Sequence, residues 1–189
     1  YELGASYFIY QISENLKDKL VERYKKSGLL IYTISFLLLK DKIRLYNVSD
    51  YYRVSYIKIL EGRISFSLEK IQEAIRTLLE DSFFFTSFAH IPFEDFIKQP
   101  SFSENIEEDK RFLEINDNNY PLALYYITYL ISVEIKKYLA DKEINLNYVD
   151  VIDLLKTFHV VRDNRKYIKT KTIKNVDKLI DQLDIKFTL

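Results

Sequence analysis

The sequence predicts a mostly α-helical protein, with a helical body and a small α/β (α+β) subdomain. Apolar residues recur every four positions from Phe8 to Tyr24, which is the period of an amphipathic helix. Two apolar runs, residues 29–39 and 121–133, fall short of the roughly 20 residues that cross a bilayer, so they indicate buried helices. Two short stretches, 83–89 and 111–115, have the composition or the alternation of strands.

Residues 1–62 are predicted to form the helical body. Gly28 has the position of a C′ residue that ends the first helix, after two lysines in its last turn. Ser49 or Asp50 can cap the third helix, and Gly62 stops it. The three predicted helices span residues 3–27, 29–39 and 50–61.

Residues 63–158 are predicted to form the mixed part. Ser67, Asn119 and Asn147 are suitable N-cap residues, and Pro92 stops the aromatic strand that precedes it. The predicted elements are a helix at 67–81, a strand at 83–89, an acidic surface loop at 101–109, a strand at 111–115, a long helix at 120–140 and a helix at 148–157.

Residues 159–189 are predicted to be a basic hairpin or linker followed by a helix at 175–183. An Asp-Asn pair at 163–164 favours a hairpin turn. Cations interleaved with Tyr167 and Ile168 suit contact with a phosphate backbone, and a solvated hairpin or linker is the alternative. The cations are Arg162, Arg165, Lys166, Lys169, Lys171 and Lys174, against Asp163 alone.

Composition excludes several classes of site. The chain has no cysteine, which removes disulfides, thiolate metal sites and cysteine nucleophiles. With only three glycines, the chain contains no Walker A loop and no glycine-rich dinucleotide-binding loop. His90 and His159 have no ligand at metal spacing, so packed or surface histidines are the default. A helical nuclease would need Asp95, Asp117 and Glu134 to converge, and no spacing supports that. We therefore predict no catalytic residue and no metal site.

Charge and aromatic content bear on partners and location. With 28 basic and 28 acidic residues, the net charge is zero, which leaves a local nucleic-acid patch possible. Sixteen tyrosines suit a partner interface or a tyrosine-rich core. No secretory signal is visible, so we expect an intracellular protein. The chain lacks Met and opens at Tyr1, which predicts a trimmed portion of a longer protein.

Four stretches resemble, in order and spacing, the N-terminal domain of the large, non-catalytic subunit of archaeal and eukaryotic DNA primase. Residues 29–60 resemble a buried helix, a polar turn and a second helix that opens on an Arg-Tyr segment. Residues 67–98 resemble a helix that leads into an aromatic segment, here IPFEDFI. Residues 110–139, KRFLEINDNNYPLALYYITYLISVEIKKYL, resemble the family's short strand, turn and long helix, and residues 148–158 its further short helix.

The resemblance implies a scaffold that forms a heterodimer with the catalytic small subunit, which holds the polymerising carboxylates and metals. It implies a role in RNA primer synthesis for DNA replication, in the archaeal cytoplasm or the eukaryotic nucleus, with template DNA or the RNA primer as a further partner. No membrane is expected. The iron–sulfur cluster of that family belongs to a C-terminal domain with four Cys ligands, so no cofactor is expected in this chain.

Two sets of site residues follow from this assignment. The proposed docking anchors, for which a core role is the alternative, are Phe93, Phe96, Phe112, Ile115 and Tyr120. The residues expected to contact primer or template, or to lead to the C-terminal domain, are Arg162, Arg165, Lys166, Lys169 and Lys171. The alternative function is a nucleic-acid-binding adaptor, with a helical body and a basic C-terminal hairpin.

Overall fold

The computed structural model describes the chain except for residues 1, 87–90, 98–104, 164–165, 171–173, 186 and 188–189. Within the described residues it is mostly helical with one two-stranded antiparallel sheet, which confirms the predicted fold class. The helices are α1 (Gly4–Asp41), α2 (Val48–Val54), α3 (Ile57–Glu61), α4 (Leu68–Leu79), α5 (Ser82–Thr86), α6 (Phe93–Phe96), α7 (Ile106–Phe112), α8 (Asn119–Asp141), α9 (Tyr148–Leu155) and α10 (Lys174–Gln182). The strands are β1 (Val160–Asp163) and β2 (Lys166–Lys169).

Helix α1 folds back on itself at Lys25, so it consists of two antiparallel arms. Lys25 has φ 53° and ψ −127°, which no α-helix contains. The Ser13 hydroxyl lies 2.8 Å from the Tyr32 hydroxyl, across the two arms. Near the ends of the arms, Lys40 Nζ lies 3.0 Å from Glu2 Oε2. The two predicted helices are therefore present, with the reversal at Lys25 instead of Gly28.

Gly28 has a different role from the predicted helix stop. It lies inside the second arm of α1, where a Cβ atom would come within 2.1 Å of the Leu20 carbonyl oxygen on the first arm. The hydrogen side chain allows the two backbones to approach this closely. Gly62, in contrast, follows α3 with φ 77°, as a residue that ends a helix should.

The core forms where α8 packs along α1, with α4 on one side. Ile31 and Phe36 of α1 and Ile127 and Ile131 of α8 are fully buried. The Ser35 hydroxyl joins the two helices by donating to the Leu124 carbonyl at 3.1 Å. The long helix predicted at 120–140 is confirmed as α8, and both apolar runs of the sequence meet in this interface.

Both strands predicted in the mixed part are wrong where the structure describes them. Residues 82–86 form helix α5, and residues 87–90 lie outside the described part. Residues 111–112 belong to α7, which also takes up the end of the predicted acidic loop. The Ile115 N–H donates to the Lys110 carbonyl at 3.1 Å, and Glu114 has φ 53°. RFLEI is therefore the C-terminal turn of a helix, closed by a Schellman-type bond.

The same helix ending recurs, with an acidic residue in the left-handed region followed by isoleucine. At each ending the isoleucine N–H donates to a carbonyl five residues earlier, and its side chain returns to the apolar interior. A chain with three glycines thus ends helices with other residues at positive φ. The endings, after α7, α8 and α10, are Glu114–Ile115, Glu143–Ile144 and Asp184–Ile185.

The C-terminal hairpin is confirmed. β1 and β2 pair antiparallel with Val161 opposite Ile168, and the connection at 164–165 lies outside the described residues. The Asn147 side chain caps α9 by accepting from the Val149 N–H at 3.0 Å, as predicted. An isolated bridge joins Glu2 to His159 and ties the hairpin to the start of α1. Within the described ranges, no helix has the length and apolar character to cross a membrane.

Candidate functional site

Two of the predicted docking anchors, Phe93 and Phe96, are core residues in this structure. Both rings pack on Tyr126 of α8, with centroids 5.3 Å and 5.5 Å from its ring. The Phe96 side chain is 0% exposed. The Tyr126 hydroxyl donates to the Ile91 carbonyl at 2.5 Å and fixes the segment before α6. Their burial favours the core alternative, because a docking anchor has to reach solvent.

The other three predicted anchors lie around the turn between α7 and α8. Phe112, Ile115 and Tyr120 are half-buried, with part of each side chain against the core. Ile115 also lines a surface depression with Glu107 and Arg111. These three side chains remain partly accessible, so their docking role stays a prediction.

The structure describes one side chain of the predicted nucleic-acid set. Lys169 Nζ lies 2.5 Å from Asp177 Oδ1 of α10 and 5.2 Å from the centroid of the Phe158 ring. Arg162 and Lys166 lie on β1 and β2, but their side chains fall outside the described part. Arg165 and Lys171 lie outside it altogether. Lys169 therefore already holds α10 against the hairpin.

Exposed apolar side chains gather on α2, α3 and the turn before them, a feature that the sequence analysis missed. We name this the α2–α3 surface. The pattern was visible in the sequence as apolar residues on both sides of a short helix, since Val48 and Tyr52 of α2 are buried. The exposed members are Tyr46 at 47%, Tyr51 at 41%, Val54 at 69% and Ile59 at 39%.

The opposite side of the same helices anchors the α2–α3 surface. The Tyr52 hydroxyl donates to the Gly62 carbonyl, and the Tyr52 ring lies 4.8 Å from that of Phe66. Charged residues lie among the exposed apolar residues along these helices: Arg53 pairs with Asp50 at 3.4 Å, and Lys58 is exposed. The helices are thus anchored on one side and carry exposed apolar and charged side chains on the other, a combination that protein interfaces share.

A buried polar cluster joins the segment before α2 to α7 and α8. The Tyr125 hydroxyl donates to Asp109 Oδ2, and Asp109 is 1% exposed. Asp109 Oδ1 and Arg44 Nη1 are buried and form no hydrogen bond with any residue that the structure describes. Burial raises the pKa of the Asp109 carboxyl, while the Tyr125 hydroxyl and the Arg44 guanidinium oppose the rise. Burial also raises the pKa of Tyr125.

This cluster predicts a pH-dependent stability difference. A carboxyl with a raised folded pKa stabilises the fold most below its ordinary value of 3.8, and that contribution disappears as the pH rises through the folded pKa. Asp109→Asn cannot titrate. The free energy of unfolding of the wild type, minus that of Asp109→Asn, should therefore fall from about pH 3.5 to about pH 7.

Urea unfolding followed by circular dichroism at the two pH values measures this difference. Asp181→Asn, at an exposed position of α10, is the matched control because it removes a carboxyl without touching the cluster. A difference that increases with pH would contradict the prediction. It would mean that Arg44 stabilises the Asp109 carboxylate more than burial destabilises it.

The described residues contain no cluster of three or more His, Cys, Asp or Glu side chains that could hold a metal ion. His159 is exposed, with Nδ1 3.1 Å from the Thr157 carbonyl oxygen, and His90 lies outside the described part. Comparisons with protein-family models, curated proteins and solved structures found no match for this chain.

Proposed function

We propose that this chain is a non-catalytic binding module that docks a protein partner on its α2–α3 surface. The observation that carries the proposal is the exposure of Tyr51 and Val54, at 41% and 69%, one turn apart on a helix whose opposite side is buried. Exposure of apolar surface to water is unfavourable, and the free energy falls when a partner covers that surface. Tyrosine supplies a large contact area and keeps its hydroxyl available for a hydrogen bond.

The resemblance to the primase large subunit supplies the partner, the catalytic small subunit. The α2–α3 surface lies largely in residues 29–60, the first of the four stretches that carry the resemblance. In this proposal the chain forms a heterodimer and supports RNA primer synthesis, which the small subunit catalyses. The charged side chains of Asp50, Arg53 and Lys58 then contribute to orientation and to the rate of association.

Size-exclusion chromatography with light scattering tests this proposal, using the small primase subunit from the same source. The wild type is expected to form a one-to-one complex at micromolar concentration. Tyr51→Ser combined with Val54→Ser should weaken that complex by at least about tenfold, since truncating buried anchors costs roughly 2 kcal/mol or more. The matched control is Leu146→Ser with Leu154→Ser, which removes two side chains of similar exposure, 46% and 39%, elsewhere.

The possible outcomes test the position of the docking surface and the identity of the partner separately. A complex that survives the α2–α3 changes but is lost with Phe112→Ala and Tyr120→Ala would move the docking surface to the α7–α8 turn. Equal loss in the control variant would show that the effect is not specific to α2–α3. No complex with the wild type would overturn the primase assignment and leave the identity of the partner to be found with the same variants.

A nucleic-acid-binding adaptor is the second candidate, and the hairpin favours it. β1 and β2 form a ribbon between α9 and α10, with Arg162, Lys166 and Lys169 on its strands. If these cations contact single-stranded phosphates, the logarithm of affinity should fall with the logarithm of salt, with a slope near −0.7 per contact. A flat salt response, or an affinity unchanged by Arg162→Gln and Lys166→Gln, would exclude this role for the hairpin.

A further inference from the structure

A cavity of about 480 Å³ opens between the second arm of α1, the segment after α3 and the first turns of α4. Its volume falls within the range of small-molecule sites, roughly 300–1,000 Å³. It shares no residue with the α2–α3 surface, so its role is independent of the proposed function. The lining residues are Lys26, Ser27, Leu29, Leu30, Arg63, Ile64, Ser65, Lys70 and Glu73.

Three cationic residues line this cavity. Lys26, Arg63 and Lys70 are exposed, and none forms an ion pair with any residue that the structure describes. Among the described lining residues they outnumber a single acidic residue, Glu73. Like charges around one cavity repel each other, and an anion between them relieves that repulsion.

Two other cations of α1 contrast with Lys26. Lys40 Nζ lies 3.0 Å from Glu2 Oε2, and Arg23 Nε lies 2.5 Å from Asp81 Oδ2. The Arg23 guanidinium holds the pKa of Asp81 down to about 2. Lys40 and Arg23 of α1 thus pair with acidic residues elsewhere in the chain, whereas Lys26 forms no ion pair with any residue in the described ranges.

The floor of the cavity is apolar. Leu30 is 5% exposed, and Leu29 and Ile64 are half-buried. Ser27 and Ser65 add two hydroxyl groups to the lining. A bare inorganic ion would leave the aliphatic floor in water, whereas an organic anion would cover it.

We infer that this cavity binds a small organic phosphate, a phosphate monoester with an apolar or ring portion. The phosphate suits the site because its several acceptor oxygens can be shared among an arginine fork, two ammonium groups and two hydroxyls. The organic portion lies on Leu29, Leu30 and Ile64. A single carboxylate has too few oxygens to engage the same set of donors.

Isothermal titration calorimetry with AMP, inorganic phosphate and adenosine tests this inference on the full chain. AMP should bind more tightly than inorganic phosphate, and adenosine should not bind. Arg63→Gln and Lys70→Gln should each weaken AMP binding by about tenfold, because each removes one charge-assisted hydrogen bond. Lys19→Gln is the matched control, because Lys19 is an exposed cation of α1 outside the cavity, and it should bind AMP as the wild type does.

Amide NMR shifts locate the binding independently of affinity. Added AMP is expected to move the signals of Ser27, Ser65 and Lys70, and the variants should retain the wild-type circular dichroism because the changed side chains are exposed. No AMP binding up to about 1 mM, a concentration at which even weak sites fill, would overturn the inference. Equal binding by wild type and both cavity variants, or adenosine binding as well as AMP, would overturn it too.

Discussion

Gly28→Ala is expected to destabilise the protein by about 3 kcal/mol, although alanine is the better helix former. Helix propensity alone would favour alanine by up to about 1 kcal/mol. The added Cβ would lie 2.1 Å from the Leu20 carbonyl oxygen, and the colliding atom belongs to backbone that cannot rotate away. The two arms of α1 would have to separate, which would disturb the Ser13–Tyr32 contact across them. The steric term therefore exceeds the propensity term.

Urea unfolding measures this loss, with Ser27→Ala as the matched control. Ser27 is the neighbouring residue in the same arm, is half-buried, and gains helix propensity from the same new side chain. The control should be neutral or slightly stabilising. A Gly28→Ala variant as stable as the wild type would contradict the prediction, because it would show that the two arms do not approach so closely at Gly28.

Phe96→Ala is expected to destabilise the protein by about 3–5 kcal/mol, the usual range for removing a buried phenyl ring. The Phe96 ring is 0% exposed. Its centroid lies 5.5 Å from those of Tyr126 and Tyr129 and 5.9 Å from that of Phe93. Truncation would leave a cavity among these rings that the neighbouring α8 backbone cannot fill.

This second prediction separates a core role from a docking role for Phe96. Thermal and urea unfolding give the stability, and Ile97→Ala is the matched control, since Ile97 is the next residue and is 49% exposed. The control should change the free energy of unfolding by less than about 0.5 kcal/mol. A Phe96→Ala protein of normal stability that no longer binds the primase small subunit would instead make Phe96 a docking anchor.

Local patterns predicted the long helices and the hairpin well. α8 was predicted from the apolar run at 121–133, with Asn119 and Pro121 at its start, and α9 from the capping residue Asn147. The Asp-Asn pair at 163–164 favoured the β1–β2 hairpin over a linker, which was the alternative. Capping residues and turn sequences act between residues that are near each other in the chain, so such features can be predicted from the sequence.

Short segments were predicted less well, because their conformation depends on distant partners. RFLEI alternates as a strand does, yet its backbone bonds close within α7, and its Leu113 side chain is fully buried. The aromatic run before Thr86 has strand composition but forms α5, in which Phe84 packs on Tyr126. A five-residue segment can fit either a strand or a helical turn, and the tertiary contacts that bury it decide which conformation forms.

Sequence alone determined the mostly helical fold class and the lack of cysteine chemistry, since these depend on residue type and local period. It left a hairpin or a linker open near the C-terminus, and the structure has the hairpin. The tertiary structure decided which apolar residues face water. It placed Phe93 and Phe96 in the core and left Tyr51 and Val54 exposed. It also brought Lys26, Arg63 and Lys70 around one cavity. Burial and charge convergence depend on how distant segments pack, which no local pattern encodes.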